Sequence, residues 1–335
     1  MSASRTAQER DYIDISLLVG TRRPLPILYR GVQDVLLRRM AARNMYVALL
    51  EGPDGLRFPF YADEIEPENE FAVYAKEGLT AYVLDTGRAT WIGRDPGILE
   101  RAKFIGPRPA DWVGLPLWDR SGAVFGVLAV QTYEAGGAYI EDDLAFLEYA
   151  ASQVSLAIQL QRLDREIAIA RIAALVDDTT DLDELYPCLH AIVAGLIPAA
   201  AKSFVIARID EAAGLFRPVY WRDERDDWDA VEWPLDRGMS GYICRVTGKS
   251  FIYEEGRTPL PPEITRIGAP PRFWLGAPLY SGKRIVGVVF TQTYDEERPI
   301  TREDEATLVS ICPHISQVIG RTEFFELTYR NPSRL

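Results

Sequence analysis

The sequence has few of the residues on which most metal and redox chemistry depends. It contains three cysteines and two histidines among 335 residues. The cysteines are Cys188, Cys244 and Cys312, and they form no Cys-x-x-Cys pair of the kind that marks zinc and redox sites. The sequence therefore predicts neither a disulfide framework nor a metal site, and we interpret the cysteines as small apolar residues of the core.

Long apolar runs and a surplus of basic residues are also missing. No stretch of about 20 uninterrupted apolar residues occurs, so no transmembrane helix is expected. Residues 1–14 are polar and lack the apolar segment of a signal peptide. The net charge is −12, from 49 acidic and 37 basic residues, and such a surface would repel nucleic-acid phosphates. We therefore expect a cytoplasmic protein that binds neither nucleic acid nor membranes.

The sequence does contain an internal repeat. Residues 78–83 (GLTAYV) recur as 238–243 (GMSGYI), residues 112–117 (WVGLPL) as 274–279 (WLGAPL), and residues 131–133 (QTY) as 292–294 (QTY). The two copies stay about 160 residues apart from Gly55 and Gly214 to the last helices. Chance does not keep so many separated segments in register. The repeat therefore predicts two related domains of about 150 residues each.

The same order of elements is predicted in each copy. A helix and two strands come first, and a short helix follows that ends at Gly87 or at Gly248. One more strand, a Pro-rich loop with one helical turn, a hairpin and a long helix complete the copy. The first helices are predicted at 26–42 and 181–196, and the strands at 45–50, 55–61, 89–92, 112–118 and 124–132, then at 204–209, 215–221, 250–253, 273–280 and 285–293.

The helix that closes the first copy is predicted to continue into the second. An apolar stripe with spacings of three and four begins with Leu144, Leu147, Ala151, Val154 and Ile158. Neither Gly nor Pro interrupts residues 140–176, so we predict one helix of about 35 residues there and another at 301–328. The predicted boundaries are 12–160 for the first domain, 161–178 for a helical connector and 179–325 for the second domain.

These motifs and this order of strands and helices resemble the GAF domain, a ligand-binding relative of the PAS fold. The resemblance is strongest over residues 78–158, and residues 42–49 and 58–61 are similar to GAF modules that precede bacterial histidine kinases and GGDEF-type cyclases. It implies an α+β fold with a central antiparallel sheet of about six strands. It also implies terminal helices on one face, a pocket under loops on the other, and signalling through dimeric helices.

In the first domain, aromatic residues and one acid fall on strand ends or loops around the expected pocket. These candidate ligand-binding residues are Tyr46, Phe58, Phe60, Tyr61, Tyr82, Trp91, Asp111, Trp112 and Tyr133. An aromatic box with one carboxylate suits a planar or cationic organic ligand, although the same residues could simply fill the core. Asp111 is the most specific candidate, because an acid directly before a buried strand is costly unless it has a partner.

The second domain has an analogous but less polar set. Its candidate residues are Tyr220, Trp221, Tyr242, Tyr253, Phe273 and Trp274. Phe273 stands at the position aligned with Asp111, so the second copy has no acid there. We therefore expect the two pockets to differ in ligand, and the second copy to serve dimerisation or relay.

Other kinds of GAF chemistry receive little support from the sequence. His190 and His314 fall on predicted terminal helices, where a structural role is favoured over a haem or metal role. Residues 312–314 (CPH) differ in order and position from the chromophore attachment of bilin-binding GAF domains. The signature of cyclic-nucleotide GAF domains occurs in neither copy, and the first copy lacks the cysteines of GAF-type methionine sulfoxide reductases. The acidic segment 222–229 lacks the glycine of a calcium loop, so we predict a solvated loop.

The sequence thus favours a cytoplasmic regulatory protein that is not an enzyme. We expect it to sense a small molecule in a GAF pocket and to relay the signal through the helices of a parallel homodimer. Its target would be an effector protein or a fused downstream domain, and no cofactor is identified. One alternative is a ligand-free dimerisation and interaction scaffold. A second is an enzyme that uses Asp111 in the first pocket.

Overall fold

The computed structural model of the chain describes residues 2–65, 73–102, 106–134, 139–179, 181–225, 232–265, 267–295 and 299–325. The chain divides into two compact units, Met1–Leu163 and Asp164–Leu335. One unbroken helix, Glu141–Asp178, crosses this division. The predicted long helix is therefore confirmed.

The first unit contains one six-stranded antiparallel sheet. Its helices are α1 (Ser2–Gly20), α2 (Leu25–Leu37), α3 (Gly78–Thr86), α4 (Ile98–Arg101) and α5 (Glu141–Asp178). Its strands are β1 (Asn44–Glu51), β2 (Gly55–Ala62), β3 (Val73–Ala75), β4 (Thr90–Trp91), β5 (Asp111–Trp118) and β6 (Val124–Thr132). They are arranged in the order β3-β2-β1-β6-β5-β4, so the first and last long strands meet at the centre.

The second unit repeats this architecture. Its helices are α6 (Leu182–Leu196), α7 (Gly238–Tyr242) and α8 (Arg302–Phe325), with a 3₁₀ turn at Pro198–Ala201 and a π-helical turn at Ile243–Thr247. Its strands are β7 (Phe204–Asp210), β8 (Leu215–Arg222), β9 (Trp233–Pro234), β10 (Phe251–Glu254), β11 (Phe273–Ser281) and β12 (Arg284–Thr293). Read from β9, the sheet order β9-β8-β7-β12-β11-β10 matches that of the first sheet. The predicted α+β fold with two related domains is confirmed.

In each unit the terminal helices cover one face of the sheet. In the first unit, Tyr29 of α2 and Phe146 of α5 are fully buried there with Leu115 of β5. Burying side chains of this size contributes about 1.5–3 kcal/mol each. We call this side the helix-side face, and the opposite side, which carries α3 and α4, the loop-side face. In the second unit α6 and α8 take the helix-side positions.

Helix α1 was not predicted, because its residues are mostly polar. The structure buries Ile15 and Val19 of this helix in the helix-side core. The Tyr149 hydroxyl donates to the Tyr12 carbonyl at 3.0 Å, and the Tyr12 ring meets the edge of Phe146 at 4.8 Å. Tertiary contacts with α5 therefore stabilise α1, although the apolar pattern of α1 does not predict a helix.

Most other predicted bounds agree with the structure within a few residues. Helix α2 ends at Leu37 rather than at residue 42, and Asp181 caps α6 by accepting a hydrogen bond from the Asp183 amide at 2.9 Å. Residues 226–229 of the predicted acidic loop and residues 326–328 of the predicted last helix lie outside the described residues. No helix in the described ranges is long and apolar enough to cross a membrane.

The second copy of the short helix is one residue longer than the first. Residues 78–87 span ten positions and residues 238–248 span eleven. Gly87 and Gly248 both adopt φ +61, the left-handed conformation that glycine tolerates at a helix end. The Gly87 amide donates to the carbonyl of Val83, whereas the Gly248 amide reaches back five residues to Ile243. The extra residue is thus absorbed in a π-helical turn.

Candidate functional site

Five of the nine predicted first-domain residues belong to a cluster on the loop-side face. These are Tyr46, Phe58, Tyr61, Tyr82 and Trp112. Tyr46 lies at the centre, because its ring stacks on Tyr61 at 5.9 Å and meets the edge of Phe58 at 5.5 Å. The predicted aromatic group therefore exists, and most of its members pack against one another.

A buried hydrogen-bond network closes the middle of this cluster. The Tyr46 hydroxyl lies 2.9 Å from Thr80 Oγ1 and accepts a bond from Trp112 Nε1 at 3.1 Å. Burial raises the pKa of Tyr46, so the phenol stays protonated. The Trp112 ring packs against Gly114, where an added Cβ would come within 2.1 Å of it. These side chains satisfy and cover one another.

Asp111 does not lie with this cluster, which corrects its predicted position. Successive residues of a strand point to opposite faces, so Asp111 lies on the helix side while Trp112 lies on the loop side. Its carboxylate accepts hydrogen bonds from Trp91 Nε1 at 3.0 Å, from the Gly93 amide at 3.1 Å and from the Trp112 amide at 2.9 Å. Burial, and next the charge of Asp111, raise the pKa of nearby Tyr139. The acid is buried, 3% exposed, but well partnered.

Phe60 and Trp91 are also absent from the loop-side cluster. Phe60 belongs to the helix-side core, where its ring lies 5.8 Å from Tyr29 of α2. Trp91 packs against the same core and donates its indole hydrogen to Asp111. Their predicted place around the pocket is therefore wrong, because the predicted set included neighbouring residues such as Phe60 and Tyr61, which lie on opposite faces of the sheet.

Tyr133, the remaining candidate, belongs to a polar cluster at the end of the loop-side face. Its hydroxyl donates to Asp63 Oδ2 at 3.0 Å, and Gln131 Nε2 donates to the same oxygen at 2.6 Å. The second domain repeats this arrangement, because Tyr294 and Gln292 both bond to Asp223, at 3.0 Å and 2.7 Å. The QTY motif is thus repeated because its Gln and Tyr side chains bind an acid at the end of the second strand of each domain, Asp63 after β2 and Asp223 after β8.

Sequence reasoning missed Asp63 and Asp223, although a signal was present. The two acids are 160 residues apart, within two residues of the spacing of the other repeated positions. Each stands two residues after an aromatic residue of the loop-side cluster, Tyr61 or Trp221. Aligning the two copies at their polar residues, as well as at their glycines and aromatic residues, would have identified Asp63 and Asp223.

In the second domain, three of the six predicted residues join a loop-side aromatic cluster. They are Trp221, Tyr253 and Trp274, and Phe216, Trp233 and Phe290, which were not predicted, complete it. Trp233 Nε1 donates to Ser240 Oγ at 3.0 Å. Ser240 aligns with Thr80, so an indole here takes the place that the Tyr46 phenol has in the first domain. Tyr242 lies at the margin, with its ring edge 5.5 Å from Phe251.

Tyr220 and Phe273 lie on the helix-side face, again contrary to the predicted pocket. The Tyr220 hydroxyl donates to His190 Nδ1 at 2.7 Å, and His190 Nε2 donates to the Ala200 carbonyl at 2.6 Å. Burial lowers the pKa of His190, so both ring nitrogens of a neutral imidazole are occupied by protein groups. Phe273 precedes Trp274 in β11 and therefore points to the other face.

The loop-side face of the second domain contains a cavity of about 40 Å³. Its lining residues are Gly238, Met239, Tyr253, Leu260, Ile264, Ile267, Gly268, Ala269, Pro270 and Pro271. Tyr253 is the one predicted second-pocket residue among them. The cavity lies between the start of α7, strand β10 and the segment that leads into β11.

The first domain fills the corresponding region with a short helix. Helix α4 follows β4 there, and its Ile98, with Ala102, is buried in the loop-side cluster. In the second domain the described part of residues 255–272 forms no helix, and Leu260 and Ile267 are only partly buried. The connection therefore differs between the domains: it forms α4 in the first, and in the second its described residues line the cavity without forming a helix.

The described residues contain no group of three or more His, Cys, Asp or Glu side chains that could hold a metal ion. Two of the three cysteines have little thiolate character, because burial raises the pKa of Cys244 and of Cys312 to about 12. Cys188 is exposed on α6, so its interpretation as a core residue is wrong.

Comparison with known proteins agrees with this architecture. A family profile described as GAF domain matches residues 23–159. Similar solved structures include the GAF domain of a phosphoenolpyruvate-protein phosphotransferase from Acinetobacter, at 18% identity over 47% of this chain and 95% of that chain, with a TM-score of 0.40. The GAF domain of the corresponding protein from Coxiella burnetii is similar at 13% identity over 50% of this chain and 96% of that chain, with a TM-score of 0.41. A free methionine-R-sulfoxide reductase from Neisseria meningitidis is also similar, at 16% identity over 49% of this chain and 92% of that chain, with a TM-score of 0.40. No curated protein matches the chain. Residues 23–159 thus match the GAF domain family, and the second sheet repeats the strand order of the first.

Proposed function

We propose that this chain is a regulatory protein that senses a small molecule in the loop-side cavity of its second domain. The observation that carries the proposal is the cavity itself, which lies beneath the connection between β10 and β11. The first domain has α4 and its buried Ile98 in the same region. This reverses the expectation that the first domain would sense and the second would relay.

The wall of the cavity provides a route to the terminal helix. Residues 269–271 line the cavity, and β11 begins two residues later at Phe273. On the helix-side face, α8 packs along β11 and β12. A ligand that binds one arrangement of this wall more tightly than another would therefore bias the packing of α8.

We further propose that the chain forms a parallel homodimer through α5. Four apolar residues follow one stripe of this helix at spacings of four, three and four: Leu156, Leu160, Leu163 and Ile167. Such spacings form the seam of a coiled coil. Leu156 is 41% exposed and Ile167 is 49% exposed, whereas Val154 and Ile158 are buried in the first domain. A second copy of the stripe would cover the exposed apolar surface.

Sedimentation tests the dimer. The wild-type chain should sediment as a dimer at micromolar concentration, and the pair of substitutions Leu156→Glu and Ile167→Glu should make it monomeric. Ser152→Glu, at an exposed polar position of the same helix, is the matched control and should leave the dimer intact. A wild-type chain that is only monomeric would contradict the proposal.

A metabolite screen tests the sensing role. Thermal-shift measurements against a library should find a stabilising compound, and hydrogen exchange should then slow in α8. Ala269→Leu, which fills the cavity, should abolish both effects, whereas Val246→Leu, at an exposed position outside the cavity, should preserve them. A compound that stabilises the Ala269→Leu variant as well as the wild type would refute the cavity as the site.

The second candidate function is a ligand-free scaffold that acts on an effector protein or a fused downstream domain. The observation in its favour is the self-satisfied network of Tyr46, Thr80 and Trp112 on the loop-side face of the first domain. A scaffold predicts no stabilising compound and loss of partner binding when α8 is shortened. An enzymatic role for Asp111 is disfavoured, because its carboxylate already binds three donors of its own domain.

A further inference from the structure

We infer that the second-domain cavity takes an uncharged, apolar ligand, or the apolar end of one, that fills it with only a few heavy atoms. This inference rests on the proposed function, because it names the chemical class that the sensing cavity accepts. It is drawn from the lining residues, from the cavity volume and from the connection that forms the wall.

The lining excludes a charged ligand. Among the described lining residues none is Asp, Glu, Lys, Arg or His, and Leu260, Ile264 and Ile267 contribute large apolar side chains. A buried charge without a counter-charge costs far more than the apolar contacts around it could offset. The net charge of −12 adds general repulsion for anions such as phosphates and carboxylates.

One backbone donor of the lining is already engaged within the domain. The Gly238 amide at the cavity donates to the Thr265 carbonyl at 2.9 Å. Asp223, farther along the same face, accepts bonds from Gln292 and Tyr294. Recognition in the cavity would therefore depend on apolar burial and dispersion contacts rather than on hydrogen bonds.

The volume limits the size of the ligand. A cavity of about 40 Å³ offers roughly three to four times the space that one water needs, whereas a benzene site in an engineered protein core measures about 150 Å³. A space of this size can admit a small apolar atom or molecule. Met239 in the wall has an unbranched side chain that can adapt to small differences in shape.

Xenon and acetate are the probes that separate the possibilities, because both are small and only acetate is charged. Xenon chemical shifts are measured by 129Xe NMR in titrations of the full-length chain. The wild-type chain should give a saturable shift that acetate does not displace. Ala269→Leu should weaken xenon binding at least about tenfold, and Val246→Leu should leave it unchanged. Leu260→Phe is a second filling variant if Ala269→Leu fails to fold, with the same expected loss.

The outcomes are distinct. Saturable xenon binding that both filling variants weaken supports the inference. Xenon binding that is absent, or equally strong in the filled variants, overturns it. If acetate stabilises the wild-type chain but not Ala269→Leu, the apolar class is wrong while the cavity remains a sensing site. The sensing function fails independently if occupancy of the cavity by any probe leaves hydrogen exchange in α8 unchanged.

Discussion

Replacement of Asp111 separates a structural acid from a ligand-binding one. In the structure this carboxylate is 3% exposed and accepts hydrogen bonds from the Trp91 indole and from the amides of Gly93 and Trp112. Asp111→Ala would leave these three donors without their acceptor. A buried donor that loses its partner costs about 1–3 kcal/mol, and bonds to a charged group lie at the upper end of that range.

We therefore expect Asp111→Ala to lower the free energy of unfolding of the first domain by about 3–5 kcal/mol. Asp111→Asn keeps one acceptor oxygen and should cost about half as much. The matched control is Asp95→Ala, since Asp95 is an exposed acid that pairs with Arg101 at the surface, and its loss should cost no more than about 0.5 kcal/mol.

Urea unfolding followed by indole fluorescence measures the effect, because Trp91 and Trp112 both contact Asp111. The first-domain transition should move to lower urea while the second-domain transition stays in place. A loss of less than about 1 kcal/mol, together with loss of binding of a ligand in the first domain, would refute the structural role. That result would restore Asp111 as a pocket residue.

Three further predictions concern the second domain. Burial raises the pKa of Asp304 from 3.8 to about 6, so this acid stabilises the fold when it is protonated, and its contribution is lost as the pH rises through about 6. The free energy of unfolding of the wild type, measured by denaturation on either side of this range, should therefore fall by up to about 3 kcal/mol as the pH rises, and Asp304→Asn should abolish that fall. Deletion of Val246, which is 56% exposed, should give the second-domain helix the length of its first-domain counterpart and convert the π turn to an α-helix. The free energy of unfolding should change by less than about 1 kcal/mol, and a loss of several kcal/mol would contradict this origin of the turn. Gly276→Ala places a Cβ 2.2 Å from the Trp274 ring and should cost about 1–3 kcal/mol of stability in thermal unfolding. Gly195→Ala, with open space around it, should instead stabilise α6 by about 0.5–1 kcal/mol in that assay. Equal effects of the two substitutions would count against the close approach of the Trp274 ring to Gly276.

Much of the architecture could be predicted from residues that repeat or that have special backbone needs. Gly87 and Gly248 indicated where the short helices end, and both have the positive φ that such ends require. The recurring QTY motif marked equivalent strand ends, and the structure adds the acids that bind them, Asp63 and Asp223. These features are local, so a pattern along the chain is sufficient to identify them.

The faces of the strands could not be predicted, and this is why several candidate residues were misplaced. Six consecutive residues from Asn44 to Leu49 are buried in β1, and Asp111 to Leu115 are buried in β5. A strand buried on both faces shows no alternation of apolar and polar residues. Without that alternation, the sequence indicates that Asp111 and Trp112 point in opposite directions but not which of them points to the loops.

The sequence by itself determined the two-domain repeat, the α+β class, the order of the elements and the continuous helix between the domains, because repetition and periodicity are written along the chain. Only the tertiary structure decided which aromatic residues meet on the loop-side face and where the cavity of the second domain lies. The connection between β4 and β5 forms α4 and buries Ile98, whereas the described residues of 255–272 form no helix between β10 and β11. Packing between segments distant in sequence decides such a difference, and no local pattern records it.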